Sequence, residues 1–355
     1  MTGRAHEDGT VELVDPAEAS AIYAKGYFGS PVSGGGLALD RYDAVYLAEM
    51  GRIEVADDSA PGAVAWPELF RRASLRDPGF AVRYLVYRDL RQRGYVVRSS
   101  PPPVAFTVLP RGGILNKTPS RFWVEAISER APFDLARLFE LADRARGAKK
   151  LLLVGVVDEE SDLTYYRVRR PTPHGALFVR PLPAPAVGIF GHDRVVVHDP
   201  GAVEELGRTQ AYGSRVGARL ELSLIEAAFL VGSGQLRLRN GASGRPLSAS
   251  GLAQRARRLD PMFRERLAAY RDLRARGLVV KTGFKYGAHF RAYPRNPEHA
   301  HARYLVRSAP DRHVAAWPEV SGGVRVAQGV RKEFLIAAVR PDDSVRYLEL
   351  ERIRP

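Results

Sequence analysis

The sequence predicts an α+β protein made by tandem duplication of one unit. Each copy is expected to have a mixed α/β N-terminal part and a C-terminal mixed sheet with flanking helices. Three observations lead there. The octet Tyr87-Arg88-Asp89-Leu90-Arg91-Gln92-Arg93-Gly94 returns as Tyr270-Arg271-Asp272-Leu273-Arg274-Ala275-Arg276-Gly277, at an offset of 183 residues. The register holds upstream, where Leu37, Leu39, Ala44, Leu47 and Gly51 fall on Leu220, Leu222, Ala227, Leu230 and Gly234, and Asp77-Pro78 falls on Asp260-Pro261. Downstream, Arg121-Phe122-Trp123-Val124 meets Arg303-Tyr304-Leu305-Val306 at an offset of 182, which implies one net deletion. Chance does not keep such a register over more than 100 residues.

The elements follow in order within each copy. The upstream halves, around 10–73 and 193–255, mix short strands with helices. A long helix comes next. In the second copy Asp260 is the expected N-cap, Pro261 fits the first turn, and Phe263, Leu267, Tyr270 and Leu273 form one apolar stripe. Gly277 supplies the left-handed stop. Phe80, Tyr84, Tyr87, Leu90 and Gly94 repeat the pattern in the first copy. Short apolar or alternating runs suited to strands follow at 278–280, 290–293, 304–306, Phe334 to Val339 and Val345 to Leu350. Between the copies, Arg170 to Gly188 is rich in proline and reads as an extended linker. The boundaries expected are 1–170, a linker over 171–189, and 190–355.

Composition narrows the function. A chain of 355 residues, 45% hydrophobic and 26% charged, can bury two cores and is that of a folded soluble protein. No apolar run approaches the roughly 18 residues a membrane span needs, and MTGRAHEDGTVELV lacks the apolar core of a secretory signal. A cytoplasmic location is expected. The absence of cysteine removes disulfides, thiolate metal sites and cysteine nucleophiles. A net charge of +14 and a pI near 10.1 point to a polyanionic partner, since Lys and Arg that neutralise phosphates release counterions.

The second copy carries the chemistry. Cleaving RNA through its own 2′-hydroxyl needs a base for that proton, an acid for the leaving 5′-oxygen and a cation beside the charged phosphorane. Tyr293, His301 and Lys332 are the candidates. Histidine serves as an acid near neutral pH, and lysine is a compact cation suited to phosphate oxygens. Tyrosine, with a reference pKa near 10, is a weak base unless cations lower it, and Lys285, Arg291 and Arg295 are near in sequence. Each residue also has a plainer reading. Tyr293 fits a packed strand edge, Lys332 fits helix-end charge, and Glu298, His299 and His301 with His313 could bind a metal.

Four features stand in a fixed order: Gly283-Phe284-Lys285-Tyr286-Gly287, then Phe290-Arg291-Ala292-Tyr293, a histidine three before Tyr304-Leu305-Val306, and Val330-Arg331-Lys332 opening an apolar strand. Inside a duplicated chain, this set resembles the archaeal tRNA-splicing endonuclease family, in its two-repeat, homodimeric form. The resemblance implies Tyr293 as general base, His301 as general acid and Lys332 as transition-state stabiliser. It implies metal-independent excision of introns from precursor tRNA, without a cofactor. The expected substrate is a bulge–helix–bulge RNA, and the expected products are a 2′,3′-cyclic phosphate and a 5′-hydroxyl. The family clamps a flipped base between two arginines, for which Arg325 and Arg346 are the candidates, while Lys285 and Arg291 are further RNA contacts. An acidic docking loop is implied at Asp158, Glu159, Glu160 and Asp162, for which the plainer reading is a solvated hairpin turn.

The first copy is expected to be degenerate. At an offset of 183 Tyr293 falls on Pro110, and His301 falls on Pro119 at 182 or on Thr118 at 183, while Lys332 falls on Lys150. The competing assignment for the whole chain is a non-catalytic RNA-binding or structural subunit of a splicing-endonuclease assembly.

Overall fold

The computed structural model describes residues 1–57, 60–178 and 180–355. The fold is α+β, and the chain divides into two compact units. One comprises Met1–Ala131, Leu141–Arg167 and Ile353–Pro355, and the other Pro132–Glu140 and Val168–Arg352.

In the first unit a six-stranded sheet has the order Ser30–Pro31, Leu37–Leu39, Val11–Leu13, Thr2–Ala5, Glu54–Asp57, Ala60–Ala63. Helices Pro16–Ala24 and Arg41–Glu49 each start on an aspartate, Asp15 and Asp40, whose side chain accepts a first-turn N–H. The long helix Phe80–Gln92 follows, then strands Val97–Ser99, Phe106–Val108, Phe122–Ser128 and Leu151–Val157, side by side in that order. The last two run parallel, which the intervening helix Leu135–Gly147 makes possible.

The second unit repeats this plan. Its six-stranded sheet has the order Ser214–Val216, Arg219–Ser223, Arg194–Val197, Ala186–Phe190, Leu236–Asn240, Pro246–Leu247. Ser223 and Glu226 form a reciprocal capping box on helix Leu224–Gly232. Helix Phe263–Ala275 leads into strands Val279–Thr282, Phe290–Tyr293, Tyr304–Pro310, Glu333–Val339 and Val345–Ile353, also adjacent in sequence order. Helix Trp317–Gly329 returns the chain between the parallel pair Tyr304–Pro310 and Glu333–Val339. No described helix is long and apolar enough to cross a membrane.

One expected cap is corrected. Asp260 does not open the long helix, which starts at Phe263 after Met262 and has no side-chain cap bond. Asp260 closes the preceding helix Ala249–Leu259 instead, its N–H donating to the Ala256 carbonyl at 2.9 Å. Its carboxylate accepts the Met262 N–H at 2.9 Å and pairs with Arg266 at 2.6 Å. The Asp-Pro pair therefore makes the turn between two helices, using the side chain to mimic a backbone turn. Gly94 and Gly277 have φ of +83° and +76°, the left-handed stop expected of them.

Each long helix is locked to its upstream half by a buried polar cluster. In the first unit Asp43 accepts from the Tyr87 hydroxyl, from the Gly29 N–H at 2.7 Å and from Arg91 at 3.2 Å. Arg91 also donates to the Gly26 and Val97 carbonyls and lies 4.2 Å over the Phe28 ring. Burial first, and the charge of Asp40 second, push the Asp43 carboxyl up to about 6, against the pull of Arg91. The second unit places Arg274 4.1 Å over the Tyr212 ring, and Glu226 accepts the Gly213 N–H at 2.8 Å. Asp43→Ala, which strands the Arg91 charge in the core, is expected to cost about 3–5 kcal/mol in urea denaturation. A loss below about 1 kcal/mol would show that the cluster does not lock the unit.

Candidate active site

The strand register of the second unit brings the three candidate residues to one end of its sheet. Strand Phe290–Tyr293 runs antiparallel to Tyr304–Pro310, with Ala292 opposite Tyr304, and Tyr304 in turn lies opposite Glu333 on the parallel strand. Tyr293 therefore ends one strand, His301 lies three residues before the next, and Lys332 immediately precedes the third. The Arg303 N–H donates to the Ala292 carbonyl at 3.0 Å, and the Glu333 N–H donates to the Arg303 carbonyl at 2.9 Å. These bonds carry the ladder past the formal strand ends. With neighbouring strands about 4.8 Å apart, the backbones of Tyr293 and Lys332 are separated by about 10 Å. A lysine stem and a tyrosine ring can bridge that span to one phosphodiester.

Each side chain is presented differently. Tyr293 is 8% exposed and packs with Ala211, Val279 and Ala302, with Leu177 against them. His301 is exposed in the loop 294–302. Lys332 is half-buried where helix Trp317–Gly329 turns into the sheet. Arg331 there adopts φ +55°, and the Lys332 N–H donates to the Ala327 carbonyl at 2.8 Å. The Lys332 ammonium bonds the Val330 carbonyl at 3.3 Å and remains accessible to an anion.

The other candidates are spread more widely. Arg291 lies 5.9 Å from both the Tyr286 and the Tyr293 ring centres, and its Nε donates to the Thr282 carbonyl at 2.8 Å. Lys285 is exposed on the turn Phe284–Tyr286, and Arg325 is exposed on helix Trp317–Gly329. Arg346 stands apart. It pairs with Ala338, six residues along the strand from Lys332 and so about 20 Å away, and its guanidinium stacks 4.0 Å over Phe139. Asp158, Glu159, Glu160 and Asp162 are exposed on a turn of the first unit, where Asp158 accepts the Glu160 and Asp162 N–H groups at 3.0 and 2.8 Å. Glu159 pairs with Arg130 at 2.8 Å. Among the described residues no three His, Asp or Glu side chains gather as metal ligands. Sequence reading also passed over Arg303, which sits between the strands of Tyr293 and Lys332 and pairs with Glu333 at 2.8 Å. Its only signal was its place beside Tyr304.

The same end of the first unit's sheet carries other residues. The Arg121 N–H donates to the Val108 carbonyl at 2.8 Å and the Leu151 N–H donates to the Arg121 carbonyl at 3.0 Å, matching the bonds of Arg303 and Glu333. The Leu109 N–H reaches the Val96 carbonyl at 3.0 Å, where Tyr293 pairs with Val279. The position of Tyr293 is thus held by Leu109, not Pro110 as the sequence offset indicated. The offset drifts by one residue because the preceding loop differs in length. Pro119 remains opposite His301. Lys150 keeps the lysine, also after a left-handed residue, Lys149 with φ +55°.

Models of the tRNA intron endonuclease family match nearly the whole chain. The catalytic C-terminal domain matches residues 80–165 and 263–347, and the N-terminal domain matches 5–62 and 186–252. The chain belongs to the tRNA intron endonuclease family. It is 36% identical over 347 residues to the tRNA-splicing endonuclease of Methanococcoides burtonii, covering 96% of this chain and 97% of that protein. The tRNA-splicing endonuclease of Methanosarcina acetivorans is also 36% identical, over 98% of both chains, and that of Halobacterium salinarum is 34% identical over 98% of both. A tRNA intron endonuclease with each domain matched twice is a duplicated unit, as the internal offset indicates.

His289, directly before strand Phe290–Tyr293, is a packing residue whose burial disfavours the charged ring. Its Nδ1 accepts the Ser308 N–H at 2.9 Å. Burial, then the charges of Arg266 and Arg307, hold its pKa down to about 4. The unfolded chain binds this proton near the reference value of about 6.5. Stability from this group is therefore full above that pH and is lost as pH falls toward 4. Urea denaturation should show a loss on the order of 2–3 kcal/mol across that window. His289→Asn, which keeps an acceptor but does not titrate, should flatten it; an unchanged slope would assign the loss to other groups.

Proposed function

We propose that this chain excises introns from precursor tRNA by cutting both exon–intron junctions. The reading is supported by the strand register, which sets Tyr293, the loop of His301 and Lys332 at one end of the sheet, in a chain of this family. In the proposed reaction the Tyr293 oxygen takes the proton of the 2′-hydroxyl, which attacks the adjacent phosphorus. His301 gives a proton to the departing 5′-oxygen, and Lys332 balances the charge on the phosphorane between those events. The ends left are a 2′,3′-cyclic phosphate and a 5′-hydroxyl. Every proton is moved by a side chain, so the proposed chemistry calls for no metal.

The substrate we propose is a bulge–helix–bulge RNA, read by shape and splayed bases rather than by long sequence. Exposed Lys285 and Arg325, with Arg291, are the proposed contacts; Arg346 would have to leave Phe139 to clamp a base. The first repeat, with Leu109 and Pro119 at the two key positions, is proposed to hold RNA and build the assembly without cutting. Two chains would then give a homodimer with two cutting sites, matched to two junctions. The acidic turn Asp158–Asp162 is the proposed docking loop between chains, with its carboxylates exposed on a protein of net charge +14.

Purified protein and a bulged precursor tRNA in EDTA test the reaction directly. Cutting should continue, and end analysis should find the cyclic phosphate. Loss of cutting that a divalent ion restores would refute the metal-independent mechanism. His301→Ala should slow cleavage by about 100-fold or more, and normal activity would remove that residue from the chemistry. Reversing the charges at Asp158, Glu159, Glu160 and Asp162 should weaken dimerisation in sedimentation; an unaltered dimer would make the turn ordinary surface.

A further inference from the structure

We infer that the segment joining the two repeats is part of the active site, a strap in which Leu177 positions Tyr293 and the loop that carries His301. The inference rests on the catalytic roles proposed above for those two residues.

As an extended, proline-rich spacer, this segment would be expected to run free of the sheet. Residues 175–177 instead bond to two places at once. The Gly175 and Leu177 N–H groups donate to the Arg276 and Gly277 carbonyls, both at 2.9 Å, at the exit of the long helix. Between them the Ala176 N–H donates to the Pro294 carbonyl at 2.8 Å. Pro294 is the residue directly after Tyr293. The Val279–Tyr293 pair is the last of its ladder, and proline has no N–H with which to extend it. The strap instead holds Pro294 through its carbonyl, just past the end of the ladder.

Side-chain packing agrees with these bonds. Leu177 packs on the small cluster of Ala211, Val279, Tyr293 and Ala302. Two of those four matter directly: one is the proposed base, and the other adjoins His301. A single aliphatic side chain thus covers the contact between the Tyr293 strand end and Ala302, the residue directly after His301. The approach of the strap is close enough to demand glycine. A Cβ on Gly175 would lie 2.3 Å from the Gly277 carbonyl oxygen, and one on Gly277 would lie 2.7 Å from the Gly175 oxygen. Further along, the Arg180 carbonyl accepts from the Gln210 side chain at 2.7 Å, and the Leu182 N–H donates to Gln235 at 3.3 Å. The strap is therefore tied down on both sides of Leu177.

Proton transfer is sensitive to small displacements, and a shift near 1 Å can cost on the order of 100-fold in rate. The strap contacts the backbone that carries the base, and among its described residues no hydrogen bond reaches Lys285, Arg291 or Arg325, the proposed RNA contacts. Its loss should reach the chemical step and spare binding.

Single-turnover cleavage of a bulged precursor tRNA by the full-length protein, measured over a range of enzyme concentrations, separates the two. Leu177→Ala and Gly175→Val should each lower the maximal cleavage rate by about 10-fold or more, with the half-saturating concentration unchanged. Leu177→Met should restore most of the rate. Leu247→Ala, a comparable truncation on strand Pro246–Leu247 of the same unit, should cut at the parental rate. Tyr293→Phe run in parallel distinguishes the possible failures. A slow Tyr293→Phe with parental rates in both strap variants overturns the strap alone. A parental rate in Tyr293→Phe overturns the base assignment and the strap with it. A Leu177→Ala defect confined to half-saturation would show a binding role and overturn the inference as well.

Discussion

The register of three strands is the constraint on which the second unit's proposed chemistry depends. Ala292 must face Tyr304 and Tyr304 must face Glu333 for a phenol, an imidazole and an ammonium to meet. A slip of one residue in either pairing would turn Tyr293 or Lys332 to the opposite side of the sheet. The parallel pair fixes Lys332, because helix Trp317–Gly329 must finish within reach of the neighbouring strand's start. Its end is set by Arg331 in the left-handed region and by the Lys332 N–H bond back to Ala327. The antiparallel pair fixes Tyr293. His301 depends on neither, since it sits on the loop between them and is held through Ala302.

The two copies share their supports and differ at the proposed reacting groups. Both units end their crossover helix on a left-handed basic residue, both carry the backbone bonds at the sheet end, and both bury an arginine of the long helix over an aromatic ring. The lock of the first unit uses Asp43; at the matching position the second has Glu226, one carbon longer, which turns back to cap its own helix, while Arg274 donates to the Gln210 carbonyl at 3.1 Å. The scaffold can therefore survive without the phenol or the imidazole, and the first unit has Leu109 and Pro119 in their places.

Much of this was legible in the sequence because periodicity and offset report backbone geometry. The long helices, their glycine stops and the five strands after Gly277 stand where spacing put them, with the strand at Tyr304 running on to Pro310. Three things were not legible, for separate physical reasons. Asp260 has the composition of a cap, yet two helices meet there and its carboxylate serves the turn between them. Pro110 stood opposite Tyr293 only while the loops were assumed equal in length; hydrogen bonds, which count residues across a ladder, assign Leu109. The proline-rich connection looked like a spacer because its three bonding residues are small or apolar and carry no motif. Arg346 illustrates the limit of spacing, since its position along the strand was readable but its stacking on Phe139 depends on a distant part of the chain.

Lys150 has a consequence for how such chains are interpreted. Its ammonium bonds the Ser120 carbonyl at 2.5 Å, and so fastens the loop that in the other copy carries His301. The amine is a clasp within its own fold. Selection for foldedness alone is then enough to keep a lysine there, whatever that unit does toward RNA. Persistence of that cation across related chains is accordingly a poor witness to activity, and the aromatic hydroxyl two strands away is the better one.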